Sequence, residues 1–324
     1  MSSKDAVLFF LKDKQGDFVS GEDISRSLSL SRTAVWKHIQ SLKDDGYIIE
    51  GVPRQGYRLI KLPDKLLPSE IRYKLKTTLF DKKIYYFNEI SSTNKIAKNE
   101  AAKGSPEGTL FVAEKQVKGK GRLGRKWVSP SGGIWFSMVL RPEISPIDAS
   151  KITILAGIAV AKAIKGETGL KVTLKWPNDI FIDGKKVAGI LSEMSAEADK
   201  VNFVVVGIGV NANLSLSVFS EELRDKVATL KELLGAEVDR VALFKAILKE
   251  FEKVYLSLNE DSFEKALSEW KNLCGMLGKR VKISTLTEEI EGEALDINEQ
   301  GSLLLKLFSG EIRTIYSGDV VIKK

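Results

Sequence analysis

Residues 109–127 read TLFVAEKQVKGKGRLGRKW, and the fold of the central part of the chain turns on how this stretch divides. Residues 109–114 have the β-branched and aromatic content of a strand. The run 116–127 that follows holds three glycines and five cations, with no acid. Glycine weakens any helix or strand interior, and clustered like charges repel, so the run reads as a mobile basic loop. Its glycines let backbone N–H groups approach an anion closely while Arg and Lys neutralise it, which suits a phosphate or an acyl phosphate. The spacing is neither the Walker loop nor the dinucleotide fingerprint. A solvated basic loop is the competing reading.

Just upstream, residues 84–87 form a short strand and residues 93–102 a helix, joined through Glu89, Ile90, Ser91, Ser92, Thr93 and Asn94. Hydroxyls and free N-terminal N–H groups meet at such a junction and suit a polar ligand head group, although the same residues serve as an ordinary helix cap. Downstream, Lys175-Trp176-Pro177-Asn178-Asp179 leads into 180–182, turns at Asp183-Gly184 and returns through 185–191. Pro177 breaks a ladder bond and exposes Asn178 and Asp179, and strict alternation puts Lys186, Ala188 and Ile190 on one face. A lysine entering an apolar strand requires an anionic partner unless it reaches back to solvent. An apolar strand over 203–206 then runs into Gly207-Ile208-Gly209-Val210-Asn211, where two glycines permit close approach of a ligand or another strand.

Residues 1–64 read as a winged helix-turn-helix. A helix through Ala6, Val7, Phe10 and Leu11 stops near Gln15-Gly16; Ser20 caps a short helix bearing Ile24 and Leu28; Ser31 caps a third. In that third helix Val35, Ile39 and Leu42 form the inward stripe, leaving Arg32, Thr33, Trp36, Lys37 and Gln40 on other faces, and 31–42 contains no acid. This is the geometry that enters a major groove. Strands over 47–50 and 57–60 bracket a wing whose tip offers Arg54 to phosphate or the minor groove. A helix-turn-helix kept for protein contacts is the alternative. His38 packs or caps locally. Pro63 and Pro68 flank a linker, with the next domain beginning near Ile71. At the other end, short strands over 281–283, 291–297, 303–307, 312–315 and 320–322 make a small all-β cap.

Composition excludes much else. At 324 residues the chain has room for two or three domains, and 43% hydrophobic with 29% charged residues is globular. A single cysteine, Cys274, and a single histidine, His38, exclude an internal disulfide, Cys/His zinc sites and His-dependent catalytic triads. Any reaction must run on Lys, Arg, Asp, Asn and backbone groups. The net charge of +7 is weak support for polyanionic partners. No apolar run approaches the ~18 residues that span a bilayer. Lys12, Asp13 and Lys14 interrupt the N-terminal apolar core, so it is no signal peptide and a cytoplasmic location is expected, with no membrane partner.

The loop 116–127, the Lys175–Asp179 motif, 186–191 and 207–211, in this order behind a winged helix, resemble the bifunctional biotin protein ligases and biotin operon repressors over essentially the whole chain. The resemblance implies an α+β protein of three domains: a winged helix-turn-helix (1–64), a mixed sheet with helices like that of class II aminoacyl-tRNA synthetases and biotin synthetases (65–275), and an SH3-like β-barrel (276–324) beside the active site that helps ATP or the acceptor protein bind. It implies biotin and ATP, with Mg²⁺, as ligands. Biotin would be met by Ser92, Thr93, Asn94, Gln116, Lys120, Gly121, Arg122, Trp127, Lys186, Gly189 and Gly207. The adenylate would be met by Lys120, Arg122, Arg125, Trp127, Asn178, Lys186 and Asn211, with Arg122, Lys186 and Asp179 at the reaction centre and no protein-held metal. Where family members place an aromatic near the adenine, this chain reads Val227-Ala228-Thr229-Leu230, which leaves the adenine clamp unassigned. The implied partners are the biotin carboxyl carrier protein of acetyl-CoA carboxylase, other biotin-dependent enzymes, operator DNA, and a second copy of the chain once biotinyl-5'-AMP is bound as corepressor. A ligand-sensing repressor without enzyme activity and a lipoate ligase are the alternatives.

Overall fold

The computed structural model describes residues 2–80, 83–256, 258, 260–285 and 287–323, which form two compact units, 1–74 and 75–324. In the first, three helices, α1 (Ser3–Asp13), α2 (Gly21–Leu28) and α3 (Arg32–Asp44), precede a hairpin of β1 (Ile48–Val52) and β2 (Gly56–Lys61). Each helix starts on a serine: Ser2, Ser20 and Ser31 accept from the backbone N–H groups of Asp5, Asp23 and Ala34. Val7, Leu8, Leu11, Ile24, Val35, Ile39 and Leu42 make the core, the stripe that helical periodicity predicts. Val19 and Tyr57 exchange backbone hydrogen bonds of 2.9 and 2.8 Å, an isolated bridge that ties the segment before α2 to the wing. Gly56 permits this: with φ +105° it brings its Cα so near that a Cβ would lie 2.0 Å from the Val19 carbonyl oxygen.

The stretch expected as a linker is packed. Leu66 and Leu67 are buried, and a short helix α4 (Pro68–Arg72) carries Glu70, 2% exposed, to the Lys12 ammonium at 2.6 Å and the Tyr47 hydroxyl at 2.8 Å. Burial and the Glu70 carboxylate push the Tyr47 phenol well above its ordinary range. A buried carboxylate with two donors is costly to uncover, so 65–74 is bound into the first unit.

The second unit is built on a seven-stranded mixed sheet, in spatial order β3 (Ile84–Ile90), β4 (Leu110–Gln116), β5 (Ile134–Leu140), β9 (Val201–Val210), β8 (Lys185–Ala196), β7 (Asp179–Ile182) and β6 (Val172–Lys175). Only β3 and β4 are parallel; the rest pair antiparallel. Helix α5 (Thr93–Ala102) covers one face at the β4–β5–β9 end, where Ala97 and Ala101 meet Phe111, Val139, Phe203 and Val205. Helix α6 (Ala149–Thr168) packs against the sheet together with α9 (Arg240–Leu256) and α10 (Glu260–Leu273), and Phe136 meets Phe244 edge to face at 4.7 Å. Two short helices, α7 (Glu221–Arg224) and α8 (Leu230–Leu234), lie between β9 and α9. The C-terminal strands β10 (Arg280–Ser284), β11 (Glu289–Ile297), β12 (Leu303–Lys306), β13 (Ile312–Ile315) and β14 (Asp319–Ile322) form a five-stranded antiparallel sheet ordered β13-β12-β11-β10-β14. Trp176, 2% exposed, ties it to the central sheet by donating to the Gly301 carbonyl at 2.9 Å.

Candidate functional site

Sheet register builds the floor of the site. Directly paired residues share a face, and Lys175, Asp179, Gly189, Gly209 and Trp135 follow one another across β6, β7, β8, β9 and β5. The neighbouring row runs Leu191, Gly207, Ser137 and Phe111. Beyond the end of α5 this face is therefore floored by glycine, which leaves room above it. A Cβ on Gly207 would fall 1.9 Å from Asn94 Oδ1, and one on Gly209 2.5 Å from Trp127 Nε1. The result is a cavity of about 240 Å³ between the sheet, the start of α5 and the glycine loop.

At the β3–α5 junction, Ser92, Thr93 and Asn94 are all buried. The Thr93 N–H, expected to be free, donates to Gln116 Oε1 at 2.8 Å, and the Thr93 hydroxyl does so at 3.1 Å. Beneath them the buried Ser137 hydroxyl lies 2.8 Å from Thr93 Oγ1 and 2.6 Å from Asn94 Oδ1, while Asn94 Nδ2 donates to the Leu191 carbonyl. The junction is thus held rigid by β4, β5 and β8 at once.

The glycine loop is folded. Its two arms approach as Lys120 bridges Lys126, Gly121 N–H donates to the Arg125 carbonyl at 2.7 Å and Trp127 N–H to that of Gly119 at 2.9 Å. Leu123 (φ +54°) and Gly124 (φ +73°) turn the tip. Arg122 donates to Asn178 Oδ1 at 3.0 Å and to the Gly318 carbonyl at 3.4 Å. Burial presses its guanidinium below the usual arginine range, opposed by the fields of Asp319 and Asp179.

Lys186 corrects the alternation argument. Phe181 pairs with Lys186 and Ile180 with Ala188, so Val187 is an extra residue in β8. The bulge takes Lys186 off the Ala188–Ile190 face and turns it over Gly189, where its ammonium lies 2.6 Å from Asp179 Oδ1 and 5.0 Å from the centre of the Trp127 ring. The expected anionic partner is Asp179. Three buried polar atoms of cavity residues, Trp127 Nε1, Asn211 Oδ1 and Asp179 Oδ1, have no hydrogen-bond partner among the described residues; Asp179 Oδ1 is ion-paired with Lys186, which leaves Trp127 Nε1 and Asn211 Oδ1 unmet. Such groups cost about 1–3 kcal/mol each unless a ligand meets them.

All the residues expected to meet biotin, the adenylate or the reaction centre line this one cavity. Reading the sequence did not find Phe219, Leu223 or Asp319, which line it as well. Phe219 supplies an aromatic edge beside Val227. Asp319 had no local signal, because its partner, Arg125, lies in the distant glycine loop. A buried pair behind the loop, Arg240 to Glu114 at 3.0 Å, was signalled only by an acid inside the apolar strand 110–114.

In the first unit, Arg32, Thr33, Trp36 and Lys37 are exposed on α3 and Gln40 is half-buried, while Arg54 stands exposed at the wing tip with φ +68°. Arg32 is ion-paired with Glu22 of α2, whereas Lys37 has no carboxylate in ion-pair contact among the described residues.

Comparison with known proteins gives three matches in chain order. Residues 4–58 match an HTH domain, 86–211 the biotin/lipoate A/B protein ligase family and 276–323 the biotin protein ligase C-terminal domain. The chain is 43% identical to the bifunctional ligase/repressor BirA of Bacillus spizizenii over 98% of this chain and 97% of that protein. To the protein of the same description from Escherichia coli K12 it is 31% identical over 95% and 94%. A solved structure of biotin protein ligase from Aquifex aeolicus in complex with biotin and ATP matches with a TM-score of 0.64 and 31% identity, covering 75% of this chain and 99% of that one.

Proposed function

This chain belongs to the biotin protein ligase family, and from that premise we propose that it is an ATP-dependent biotin ligase that also represses transcription. The observation that carries the reading is the convergence of the glycine loop, Lys186 and Asp179 on one glycine-floored cavity whose rigid polar end is Ser92, Thr93, Asn94 and Gln116. Biotin's ureido ring fits that polar end. Its carboxylate oxygen attacks the α-phosphorus of ATP, forming biotinyl-5'-AMP and releasing pyrophosphate. No protein nucleophile is consumed: the cations Arg122 and Lys186 meet the growing phosphate charge from fixed positions, helped by Lys120 and the loop N–H groups near Gly121. Asp179 orients Lys186 through their 2.6 Å contact. The neutral ε-amine of an acceptor lysine then attacks the acyl carbon, and AMP leaves. Asn178, Asn211 and Arg125 are assigned to the nucleotide, with Phe219, Leu223 and Val227 against its base; Trp127, Gly189 and Gly207 enclose biotin.

The cavity carboxylates are Asp179 and Asp319, both in ion-pair contact, and among the described residues no three metal-ligating side chains cluster. These residues do not fit a resident metal; Mg²⁺ is assigned to the nucleotide phosphates as their counter-ion.

The acceptor is the biotin carboxyl carrier protein of acetyl-CoA carboxylase, with other biotin-dependent enzymes as further acceptors. Operator DNA is assigned to Arg32, Thr33, Trp36, Lys37, Gln40 and Arg54, and dimerisation to the adenylate-bound state, in which two winged helices match a two-fold site. Three functional modules divide these tasks: the winged helix, 1–64, with 65–74 packed onto it, the catalytic sheet and its helices to residue 275, and 276–324. No described helix is long and apolar enough to cross a membrane; a cytoplasmic site of action fits the acceptor. An assay with labelled biotin and ATP separates the readings: incorporation into the carrier protein supports the ligase, lipoate incorporation instead supports a lipoate ligase, and none supports a repressor without enzyme activity.

Two outcomes are expected of the DNA-binding unit. Removing 1–74, along the unit boundary, leaves biotin transfer within about twofold of the parent and abolishes operator binding, because a separately folded module is lost whole. Loss of transfer on that cut would contradict the division. Lys37→Ala lowers the slope of log affinity against log salt by about one, as for a lost phosphate contact. Arg32→Ala lowers it less, since Glu22 already neutralises Arg32. Unchanged slopes in both favour the protein-contact reading of this domain.

A further inference from the structure

Five cations line the cavity, Lys120, Arg122, Arg125, Lys126 and Lys186, against two carboxylates. Asp179 belongs to Lys186. The other carboxylate, Asp319, is the first residue of β14, held in register opposite Ser284 of β10. It accepts from Arg125 Nη2, and the Gly318 carbonyl beside it accepts from Arg122. The C-terminal sheet thus closes on both arginines of the glycine loop. The two sides of this latch differ. Asp319 stands on a paired strand with its side chain only 26% exposed, whereas Arg125 directly follows Gly124 at the end of the loop turn and its side chain is 64% exposed. A fixed anion facing a movable cation at the open side of a phosphate-binding cavity occupies the place of a phosphate.

We propose that Asp319 is an internal stand-in for the polyphosphate leaving group of ATP: it holds the glycine loop shut through Arg125 while the polyphosphate is absent and yields Arg125 to it when ATP binds. The inference rests on the ligase reading. Arg122, tied to Asn178, is the more enclosed arginine and serves the phosphate that stays in the adenylate; Arg125, nearer solvent, serves the part that must leave. Asp319 therefore acts with opposite sign at two stages. Facing ATP, its charge competes with the β- and γ-phosphates for Arg125 and weakens their binding. After pyrophosphate departs, it recaptures Arg125 and keeps the loop closed over biotinyl-5'-AMP. Asp319 is a positioning residue, with no bond made or broken at its carboxylate.

Opposite signs make the proposal testable, because a merely structural residue would weaken both stages together. In the full chain, Asp319→Asn is expected to lower the KM for ATP and the inhibitory concentration of pyrophosphate, each about two- to fivefold, the size of an exposed ion pair. Biotinyl-5'-AMP, chased from the protein after ATP and pyrophosphate are removed, should dissociate faster by a similar factor. Asp319→Glu, which keeps the charge, should stay within twofold on every count. Arg125→Gln breaks the latch from the other side: it should speed adenylate loss while raising the KM for ATP, and it keeps the test open if Asp319→Asn does not fold. Weaker ATP binding in Asp319→Asn, or an unchanged adenylate lifetime in both variants, overturns the latch. A parent chain that forms no adenylate overturns the ligase reading and the latch with it, whereas normal adenylate formation with the wrong signs in the variants overturns the latch alone.

Discussion

Replacing Lys186 with Ala lowers the rate of biotinyl-5'-AMP formation by about 10²–10³-fold and leaves the fold standing. The size follows from the part assigned to the ammonium: a fixed charge aimed at developing phosphate charge in a partly enclosed site, the kind of group whose removal costs roughly that factor. The fold survives because the side chain carries none of the local ladder. The Lys186 N–H donates to the Lys226 carbonyl at 2.9 Å and its own carbonyl accepts from Ala228 N–H at 3.0 Å, and alanine keeps both. ATP–pyrophosphate exchange reads the loss, and a cooperative thermal transition reads the fold. Asp179→Asn leaves the ammonium in place without its 2.6 Å carboxylate partner, so it should lose less than Lys186→Ala in adenylate formation. Near-normal turnover by Lys186→Ala would remove Lys186 from the reaction centre.

What the sequence made legible follows from the range of the forces involved. The winged helix was readable because its determinants are local: serine caps three residues from the N–H groups they bond, and an apolar stripe of Val35, Ile39 and Leu42 at helical spacing. The cavity lining was legible because chemical motifs mark it; the glycine loop, Lys175–Asp179 and 207–211 each display their residue types in one run. Long-range facts were not. The bulge at Val187, which redirects Lys186 onto the face of Asp179, exists only in the pairing of β7 with β8, and strict alternation along either strand alone predicts the wrong face. Helix α6 carries an apolar surface too broad for one stripe, because it is covered by the sheet and by α9 and α10 at once. Asp319 is a lone acid at a strand start until a loop almost two hundred residues earlier is brought against it. The linker between Pro63 and Pro68 looked like a break because prolines mark turns, but Leu66, Leu67 and Glu70 are buried in the first unit.

Arg122→Gly should turn the protein from a selective ligase into one that labels its surroundings. Arg122 is one of two arginines through which the loop reaches beyond itself, donating to Asn178 Oδ1 at 3.0 Å and to the Gly318 carbonyl, while Arg125 pairs with Asp319. Between Gly121 and the turn at Leu123–Gly124, a glycine at 122 adds backbone freedom, leaving the single bond from Arg125 N–H to the residue 122 carbonyl at 3.1 Å to hold that point of the turn. The guanidinium assigned to the adenylate phosphate is lost at the same time, a charge-assisted contact worth about 1.5–3 kcal/mol. At tenfold per ~1.4 kcal/mol, biotinyl-5'-AMP should dissociate about ten- to a hundredfold faster. The released mixed anhydride acylates any neutral amine it meets, so bystander proteins mixed with the variant, biotin and ATP should acquire biotin that the parent does not give them. The rate of first adenylate formation should fall less than in Lys186→Ala, since Lys186 remains with Asp179. Adenylate-driven dimerisation should weaken in step with retention, because the ligand that promotes it is held for less time. Sedimentation of the variant with biotin and ATP reads the dimer, and blotting of added bystander protein reads the leak. A variant that holds its adenylate as long as the parent and labels only the carrier protein would show that loop closure through Arg122 does not retain the intermediate.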